Sequence, residues 1–285
     1  MTPVANIEKS GEAHSEADSA PSRAHEQRPK IDTRVPHSAR IWNYWLGGKD
    51  NFAVDREAGD MVRQIFPGIV DAACYSRAFL GRAVRYLAGE AGIRQFLDVG
   101  TGLPTVDNTH DIAQQVAPES RIAYVDNDPM VLAHARALLT TTPQGATQYV
   151  HADLRDPDEI ARGAAQTLDF TQPIAIMLLG IMGHIGDDDE ALSIVKRLLD
   201  TVPSGSYLAL SDGTNTSEAV TESHRQYNDS GAIPYHLRSP ELIARFFDGL
   251  ELVEPGVVPF THWRPDPDGG PPAEVDGYCG VARKP

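Results

Sequence analysis

The spacing of hydrophobic residues changes near residue 95 and divides the chain into a helical part and a part of alternating strands and helices. Between residues 36 and 90, apolar positions recur at intervals of three and four, as they do on one face of a helix. Phe79, Ala83 and Leu87 share such a stripe, whereas Arg77 lies off it. The pattern therefore predicts that this part of the chain is helical.

From Gln95 onward, short apolar runs alternate with amphipathic stretches. Strands are predicted at residues 96–99, 122–125, 147–150, 174–179, 207–210, 250–260 and 275–282. A helix is predicted at 106–116, and others begin at the N-caps Asp128, Asp156 and Ser239, each followed by proline. This order predicts an α/β fold with a doubly wound, mostly parallel sheet of seven strands that ends in an antiparallel hairpin.

We predict three parts along the chain. Residues 1–30 have no aromatic residue and no hydrophobic periodicity, which is typical of a disordered tail. Residues 31–92 form an N-terminal helical cap or lid, and residues 93–285 form the domain that contains the sheet.

The charge of the chain restricts its partners. There are 25 Lys and Arg against 40 Asp and Glu, a net charge of −15. Binding to polyanions needs clustered cations, so we expect neither nucleic acid nor an anionic membrane as a partner. A small molecule or a cationic ligand remains compatible with this charge, and the oligomeric state is not predicted.

The cysteines and histidines make a metal site improbable. Cys74 and Cys279 are too far apart for a zinc knuckle or a redox pair, although they could form a single disulfide. No histidine pair has the spacing of a zinc site. The N-terminus has no apolar signal segment, and the longest apolar run, at 174–183, is too short to span a bilayer. We therefore expect a cytoplasmic protein.

The loop after the first predicted strand has the character of a ligand site. Gly100, Thr101 and Gly102 follow Asp98, and the two glycines allow a tight turn and a close approach to a ligand. A dinucleotide fingerprint would need a third glycine where Thr105 stands. Asp98 would repel a pyrophosphate but would stabilise an ammonium or sulfonium group. The alternative is a solvated aspartate at a strand end followed by two loop glycines.

Carboxylates also follow the second and third predicted strands. Asp126, followed by Asn127, is placed to accept from ribose hydroxyls, and the sequence gives it no structural role, whereas Asp128 is explained as a helix cap. Asp153, followed by Leu154, either accepts from the amine of an adenine or begins a turn. Because the carboxyl ends of parallel strands share one edge, we expect a common nucleoside pocket.

These motifs resemble those of class I S-adenosylmethionine (SAM) methyltransferases, and more narrowly of a bacterial S-adenosyl methyltransferase family long known only as a domain of unknown function. The resemblance runs from about Val35 to Lys284. It depends on ARIWNYWLGGKDNF at 39–52 with DRE at 55–57, LDVGTGLPT at 97–105, YVDNDPMVLAHARALL at 124–139 and HADLRDP at 151–157.

The resemblance implies a Rossmann-like fold, SAM as cofactor, and a role for each strand end. It implies that Asp98, Gly100 and Gly102 contact the methionine part, Asp126 the ribose and Asp153 the adenine. Two positions depart from the pattern of the relatives: Pro104 replaces a common third glycine, and Asp212 stands where a histidine commonly follows the fifth strand.

The segment at 36–55 allows two interpretations. Trp42 and Trp45 share a helical face, so the segment is either a cap packed on the sheet or a lid that closes over the cofactor. In the second case its polar residues would supply ligand contacts, namely Tyr44, Lys49, Asp50 and Asn51.

Ile181 and His184 follow the fourth predicted strand. We place Ile181 among the cofactor-binding positions and His184 near the transferred methyl group, as a candidate base. Histidine suits such a role near neutral pH, although most histidines are structural. Phe260, His262 and Trp263 are candidates for the rim of a substrate site.

The sequence therefore predicts a SAM-dependent methyltransferase that acts on an unidentified small molecule. Two alternatives remain open at this point. A nicotinamide-dependent oxidoreductase is disfavoured by Asp98 and Thr105, and a SAM-binding regulatory protein without turnover is not excluded, because the strong motifs all concern the cofactor.

Overall fold

The fold is described from a computed structural model, which covers residues 31–105, 107–138, 141–267 and 271–285, without the side chains of residues 132 and 135–138. The predicted tail at 1–30 and the predicted start of a helix at residue 106 lie outside this range.

One sheet organises the described chain. Its strands are β1 (Gln95–Val99), β2 (Arg121–Asp126), β3 (Ala146–His151), β4 (Ala175–Leu179), β5 (Tyr207–Gly213), β6 (Glu251–Leu252), β7 (Val258–Pro259) and β8 (Gly277–Arg283). Their order is β3-β2-β1-β4-β5-β8-β6, with β7 also paired to β8. The first five strands are parallel, and β8 runs antiparallel to β5. The predicted mostly parallel sheet with antiparallel terminal strands is confirmed.

The strand predicted at 250–260 is divided in two, so the sheet has eight strands rather than seven. β6 and β7 pair with different parts of β8. Between them, the backbone N–H of Gly256 donates to the carbonyl oxygen of Val253 and closes a turn, with Gly256 at φ 89°. Pro255 in this turn has no N–H to donate to a strand ladder, which is why the pairing is interrupted.

Helices cover both faces of the sheet. They are α1 (Ser38–Trp45), α2 (Ala53–Ile65), α3 (Ile69–Gly89), α4 (Thr109–Val116), α5 (Pro129–Leu138), α6 (Pro157–Ala164), α7 (Asp188–Asp200), α8 (Glu218–Asn228) and α9 (Pro240–Arg245). The three predicted caps are confirmed: Asp128, Asp156 and Ser239 each accept a backbone N–H from the first turn of α5, α6 and α9.

The core consists of two apolar layers separated by the sheet. Ile176 and Leu178 of β4 pack into one layer, and Ala175 and Met177 pack into the other. This alternation explains why β4 is apolar throughout: both faces of a central strand are buried. Trp263, predicted at a substrate rim, instead lies fully buried in the second layer.

The N-terminal helices have different surroundings. Phe79 and Leu87 of α3 pack in the same layer as Met177, so α3 covers the sheet. In contrast, Ile41 of α1 and Val62 of α2 belong to a separate small cluster that extends to α8. The helices that stand away from the sheet are therefore α1 and α2.

Two further properties bear on the sequence predictions. Cys74 is exposed and Cys279 is buried, and both are free, so the disulfide left open by the sequence is not formed. None of the helices in the described ranges has the length and apolar character needed to cross a lipid bilayer.

Candidate functional site

A cavity of about 340 Å³ lies where β1, β2, β4 and β5 end, beneath α1. This volume is within the range of about 300–1,000 Å³ that is typical of small-molecule sites. Of the positions predicted from the sequence, most line it, namely Asp98, Gly100, Thr101, Gly102, Asp126, Asn127, Asp153, Leu154, Ile181 and His184. We call the part next to Asp98 and Asp126 the β1 end, and the part next to Asp212 the β5 end.

The glycines of the β1 loop are required by its geometry. Gly100 has φ +74° and Gly102 has φ +65°, values that side-chain-bearing residues rarely adopt. A Cβ on Gly100 would stand 2.4 Å from Cγ1 of Ile181. The loop can therefore run beside the β4 loop only because Gly100 has no side chain.

The Asp98 carboxylate is buried, and nearby groups offset the cost of burying its charge only in part. Its Oδ2 accepts a hydrogen bond from the Thr109 hydroxyl at 2.6 Å. Burial raises the pKa of Asp98 to about 6, against the opposing effects of Thr109 and of the Arg77 guanidinium. A cationic group entering the β1 end would favour the charged form of this carboxylate.

Arg77 on α3 also lines the β1 end, although it was not predicted as a site residue. One of its amino groups donates to the carbonyl oxygen of Asp107 at 2.9 Å. Burial lowers the pKa of Arg77, and nearby Asp98 opposes that effect. Arg77 and Asp98 thus both line this end of the cavity and interact electrostatically. Sequence offered only a weak signal, an arginine on a largely buried helix.

Asp126 has a structural role that the sequence did not reveal. Its Oδ2 accepts from the backbone N–H of Gly102 at 2.8 Å, and its Oδ1 accepts from that of Asp128 at 2.9 Å. The carboxylate thus joins the β1 loop to the end of β2. Burial raises the pKa of Asp126, whereas the two N–H donors lower it. Each oxygen keeps a lone pair that can accept from a ligand hydroxyl.

Asp128 acts as the cap of α5 and also contacts α1. Its Oδ1 accepts from the backbone N–H of Met130 at 2.8 Å. Its Oδ2 lies 3.2 Å from Nδ1 of His37, the residue that precedes α1. The cap residue therefore fixes the start of α1 against the end of β2.

Asp153 lies near Asn127 at the far side of the β1 end. Asn127 Nδ2 and Asp153 Oδ2 are 3.5 Å apart. Asp153 Oδ1 also accepts from the backbone N–H of Arg155 at 2.8 Å, so the residue does begin a turn. Asp153 lines the cavity wall, and its Oδ2, which Asn127 approaches only to 3.5 Å, can also accept from a ligand.

Tyr44 and Asn51, both predicted as cofactor contacts, are not among the lining residues. The Tyr44 hydroxyl donates to Asp60 at 2.7 Å. Asn51 donates at 3.0 Å to Oδ1 of Asn43, which does line the cavity. These side chains therefore hold the wall that α1 forms, rather than facing the cavity themselves.

A second group of polar side chains stands at the β5 end. Nδ1 of His184 lies 2.9 Å from the carbonyl oxygen of Pro234, and burial lowers the pKa of His184. The His184 ring meets the Tyr235 ring edge-on, with 5.1 Å between centroids. The Tyr235 hydroxyl in turn donates to Oδ1 of Asp212. Phe260 lines the cavity, as expected for a rim residue, but His262 is not among the lining residues.

Comparison with known proteins identifies relatives over most of the chain. The sequence profile of the S-adenosyl methyltransferase family matches residues 24–285. A crystal structure of a DUF574 family protein from Streptomyces avermitilis MA-4680 is 47% identical, covers 90% of this chain and 100% of its own, and superposes with a TM-score of 0.86. A protein from Thermobifida fusca YX is 43% identical, covers 88% and 95%, and has a TM-score of 0.80. No curated protein matches the chain.

Proposed function

The chain belongs to the S-adenosyl methyltransferase family, and on this basis we propose that its cavity binds SAM at the β1 end and a small-molecule methyl acceptor at the β5 end. The protein is a SAM-dependent methyltransferase. The comparisons give no support to the oxidoreductase or to the regulatory binding protein that the sequence left open. The roles of the individual residues in binding the cofactor and the acceptor are proposals.

The buried Asp98 carboxylate is the observation that carries the assignment of the β1 end. We assign the ammonium group of the methionine part to Asp98 and its carboxylate to Arg77, because these opposite charges stand together on the cavity wall. Gly100, Thr101 and Gly102 would supply the backbone floor beneath this part. This pair of opposite charges suits the amino acid part of SAM, in which the ammonium group is positive and the carboxylate is negative. The sulfonium group gives SAM a second positive charge.

The nucleoside contacts follow from the ends of β2 and β3. Asp126 would accept from the ribose hydroxyls with the lone pairs that its backbone donors leave unused. Asn127, Asp153 and Leu154 would surround the adenine, and Ile181 would pack against the ligand from the β4 loop. Asp126 would thus both hold the β1 loop in place and bind the ribose.

When bound, SAM supplies a methyl group on a sulfonium sulfur that is open to in-line attack. The protein's own contribution is to position the acceptor, to exclude water and to hold a proton. We assign the ring hydrogen of His184 to Nδ1, which faces the Pro234 carbonyl, and this leaves Nε2 as an acceptor. Because burial lowers its pKa, His184 is neutral at pH 7 and can take a proton there.

We propose that α1 and α2, within the helical cap at 31–92, act as a lid on the cavity. Trp42 and Asn43 of α1 belong to the cavity wall, which supports this role. Asp55 of α2 is fully buried and accepts from the backbone N–H groups of His37 and Phe52. Such contacts would allow the two helices to move together as one unit.

The net charge of −15 supports a small-molecule acceptor rather than nucleic acid or an anionic membrane. A cytoplasmic location is supported by the two free cysteines, since an exposed thiol such as that of Cys74 persists in a reducing compartment.

Two measurements test this proposal. Calorimetric titration with SAM should give saturable binding, whereas NADH should give none. Incubation of the full chain with methyl-labelled SAM and a total cell extract should then transfer label to a product in the small-molecule fraction. Binding of NADH but not of SAM would refute the assignment of the β1 end, and label transferred only to the macromolecular fraction would refute a small-molecule acceptor.

A further inference from the structure

Asp212 occupies the end of β5, next to the proposed position of the reaction. The backbone N–H of Gly180, directly after β4, donates to the carbonyl oxygen of Ser211 at 2.7 Å. Asp212 is therefore one strand away from the β4 loop and two strands from β1. With a strand spacing of about 4.8 Å, it stands roughly 10 Å from the β1 loop. That is the side of the cavity where an acceptor would lie.

The Asp212 carboxylate is buried and incompletely satisfied. Only 1% of the residue is exposed, and Tyr235 donates to its Oδ1. Within the described ranges, Oδ2 has no hydrogen-bond partner. The backbone N–H groups of Gly213 and Gly183 also act on the carboxylate and lower its pKa, but they leave Oδ2 without a hydrogen bond. This buried oxygen can therefore take a donor that arrives with a ligand.

Within the described ranges, the cation that acts on Asp212 is engaged by other groups. Arg238 is the charged group that opposes the effect of burial, but its guanidinium donates to the carbonyl oxygens of Met182 and Ile185 and to Asp188. Burial consequently raises the pKa of Asp212 to about 7. The group can thus take up or release a proton near neutral pH. A second carboxylate, Asp276, lines the same cavity.

Further aromatic side chains lie next to Tyr235. His224 lies with its ring centroid 5.5 Å from that of Tyr235, and Tyr227 lines the cavity beside it. A Cβ on Gly183 would stand 2.4 Å from the Tyr235 ring, so the absence of a side chain there makes room for the tyrosine. Faces of aromatic rings next to a carboxylate form a favourable environment for an organic ammonium group.

We propose that Asp212 and Tyr235 bind the methyl acceptor, and that the acceptor is a small organic amine. This inference rests on the methyl transfer proposed above and adds the chemical class of the acceptor. The amine arrives as an ammonium ion and donates to Oδ2 of Asp212. The Tyr235 hydroxyl holds the other oxygen of the carboxylate in place.

The reaction balances with these groups alone. The ammonium ion gives one proton to the Asp212 carboxylate that it contacts, so His184 is not needed as the base for an amine. This leaves a neutral amine and a carboxylic acid. The nitrogen lone pair then forms the new N–C bond with the methyl group, and the electron pair of the broken S–C bond goes to sulfur. The product is a methylated ammonium ion and a neutral thioether, and no oxidant or further reactant is needed.

The test compares amines with alcohols of the same skeleton. Benzylamine, phenethylamine and tryptamine, each with its matched alcohol, are titrated into the full chain saturated with S-adenosylhomocysteine. At least one amine should bind about ten- to a hundred-fold tighter than its alcohol, the range expected for a hydrogen bond to a charged group. That amine should also accept label from methyl-labelled SAM. If no amine binds more tightly than its alcohol, the proposal is wrong.

Two matched variants show which carboxylate is responsible for the preference for amines over alcohols. Asp212→Asn should lose most of the preference for the amine and keep SAM affinity within threefold, which also reports that the variant is folded. Asp276→Asn removes the same charge from the same cavity, but its oxygens are already bonded to Thr216 and Ser217, so the preference should change by less than threefold. Retention of the preference in Asp212→Asn, or its loss only in Asp276→Asn, would overturn the assignment. Loss of SAM binding by the unmodified protein would instead refute the function on which it rests.

Discussion

The affinity for SAM should depend on pH through Asp98. Burial raises the pKa of this carboxyl to about 6, so it changes charge just below neutral pH. A carboxylate that pairs with the ligand ammonium must be ionised, and protonation therefore competes with binding. The ammonium group itself stays charged, because α-amino groups titrate at about 7.7–8.0. Affinity should accordingly rise from pH 5 to pH 7 and then level off.

The size of the effect follows from the ionised fraction. One unit below its pKa, Asp98 is ionised in about a tenth of the molecules, and the apparent affinity falls by that fraction. We therefore expect SAM to bind roughly tenfold more weakly at pH 5 than at pH 7. Asp98→Asn should abolish the slope and weaken binding at pH 7 by about ten- to a hundred-fold.

The same shift has an effect of opposite sign on the ligand-free protein. In the folded protein the pKa of Asp98 is raised to about 6, whereas the ordinary pKa of this carboxyl is 3.8. The free energy of unfolding therefore decreases as the pH rises between these two pKa values. The full decrease, roughly 3 kcal/mol, is reached at pH 7. Asp98→Asn should thus raise the melting temperature of the ligand-free protein while it weakens SAM binding.

Calorimetric titration with SAM and two analogues distinguishes the effect of Asp98 titration on affinity from that of other titrating groups. S-Adenosylhomocysteine keeps the ammonium group but has no sulfonium charge, and methylthioadenosine has no amino acid part. Titration of Asp126, which we assign to the ribose, would affect all three ligands, whereas titration of Asp98 affects only the two with an ammonium group. An equal slope for methylthioadenosine, or a flat profile for SAM, would refute the role given to Asp98.

Three further predictions concern the β1 end and the lid. Asp126→Ala should weaken SAM binding by roughly 2–4 kcal/mol, because it removes most of one to both of two hydrogen bonds that contribute about 1.5–3 kcal/mol each. Asp128→Ala should lower the melting temperature by removing a cap worth about 1 kcal/mol and should leave affinity within threefold, and calorimetry and thermal denaturation of both variants would show whether the roles are reversed. Gly100→Ala should reduce both stability and SAM affinity, because its Cβ would stand 2.4 Å from a side chain of the β4 loop at a positive φ, and unchanged values would contradict this geometry. Deletion of residues 1–30 should leave SAM affinity unchanged, whereas deletion of 1–55 should weaken it, and equal affinity of the two shortened chains would exclude a lid.

The features of the fold that local chemistry determines were predictable. The caps Asp156 and Ser239 and the apolar β4 follow from residues next to one another in the sequence. α8 was not predicted, because few of its residues are apolar and only Val220, Ser223 and Tyr227 are buried. The division of the strand at 250–260 was not predicted, although Pro255 and Gly256 between its two apolar stretches are a turn signal in the sequence.

The site was predictable where one strand and its own loop supply the residues. Asp98, Gly100 and Asp126 all stand at strand ends, and parallel strands bring such ends together. Arg77 could not be found in this way, because its helix reaches the site through tertiary contacts with β4, β8 and α4. Tyr235 lies 23 positions after Asp212, and no repeating pattern links them. Their contact depends on Gly183, a residue whose importance appears only once the ring is in place.

Asp98 and Asp212, two of the buried carboxylates of the cavity, can each compensate the positive charge of a different ligand. Two cations that entered an uncharged cavity together would repel each other, and this repulsion would oppose formation of the complex. Here Asp98 would compensate the ammonium of SAM, and Asp212 would compensate that of the acceptor amine. Each carboxylate has a raised pKa because burial leaves it short of positive charge, so each ligand relieves a cost that the protein already bears. Since roughly 10 Å separates the β5 end from the β1 loop, their energies should be nearly additive. A neutral residue at one carboxylate should consequently change the affinity of the ligand at that end and leave the other within threefold.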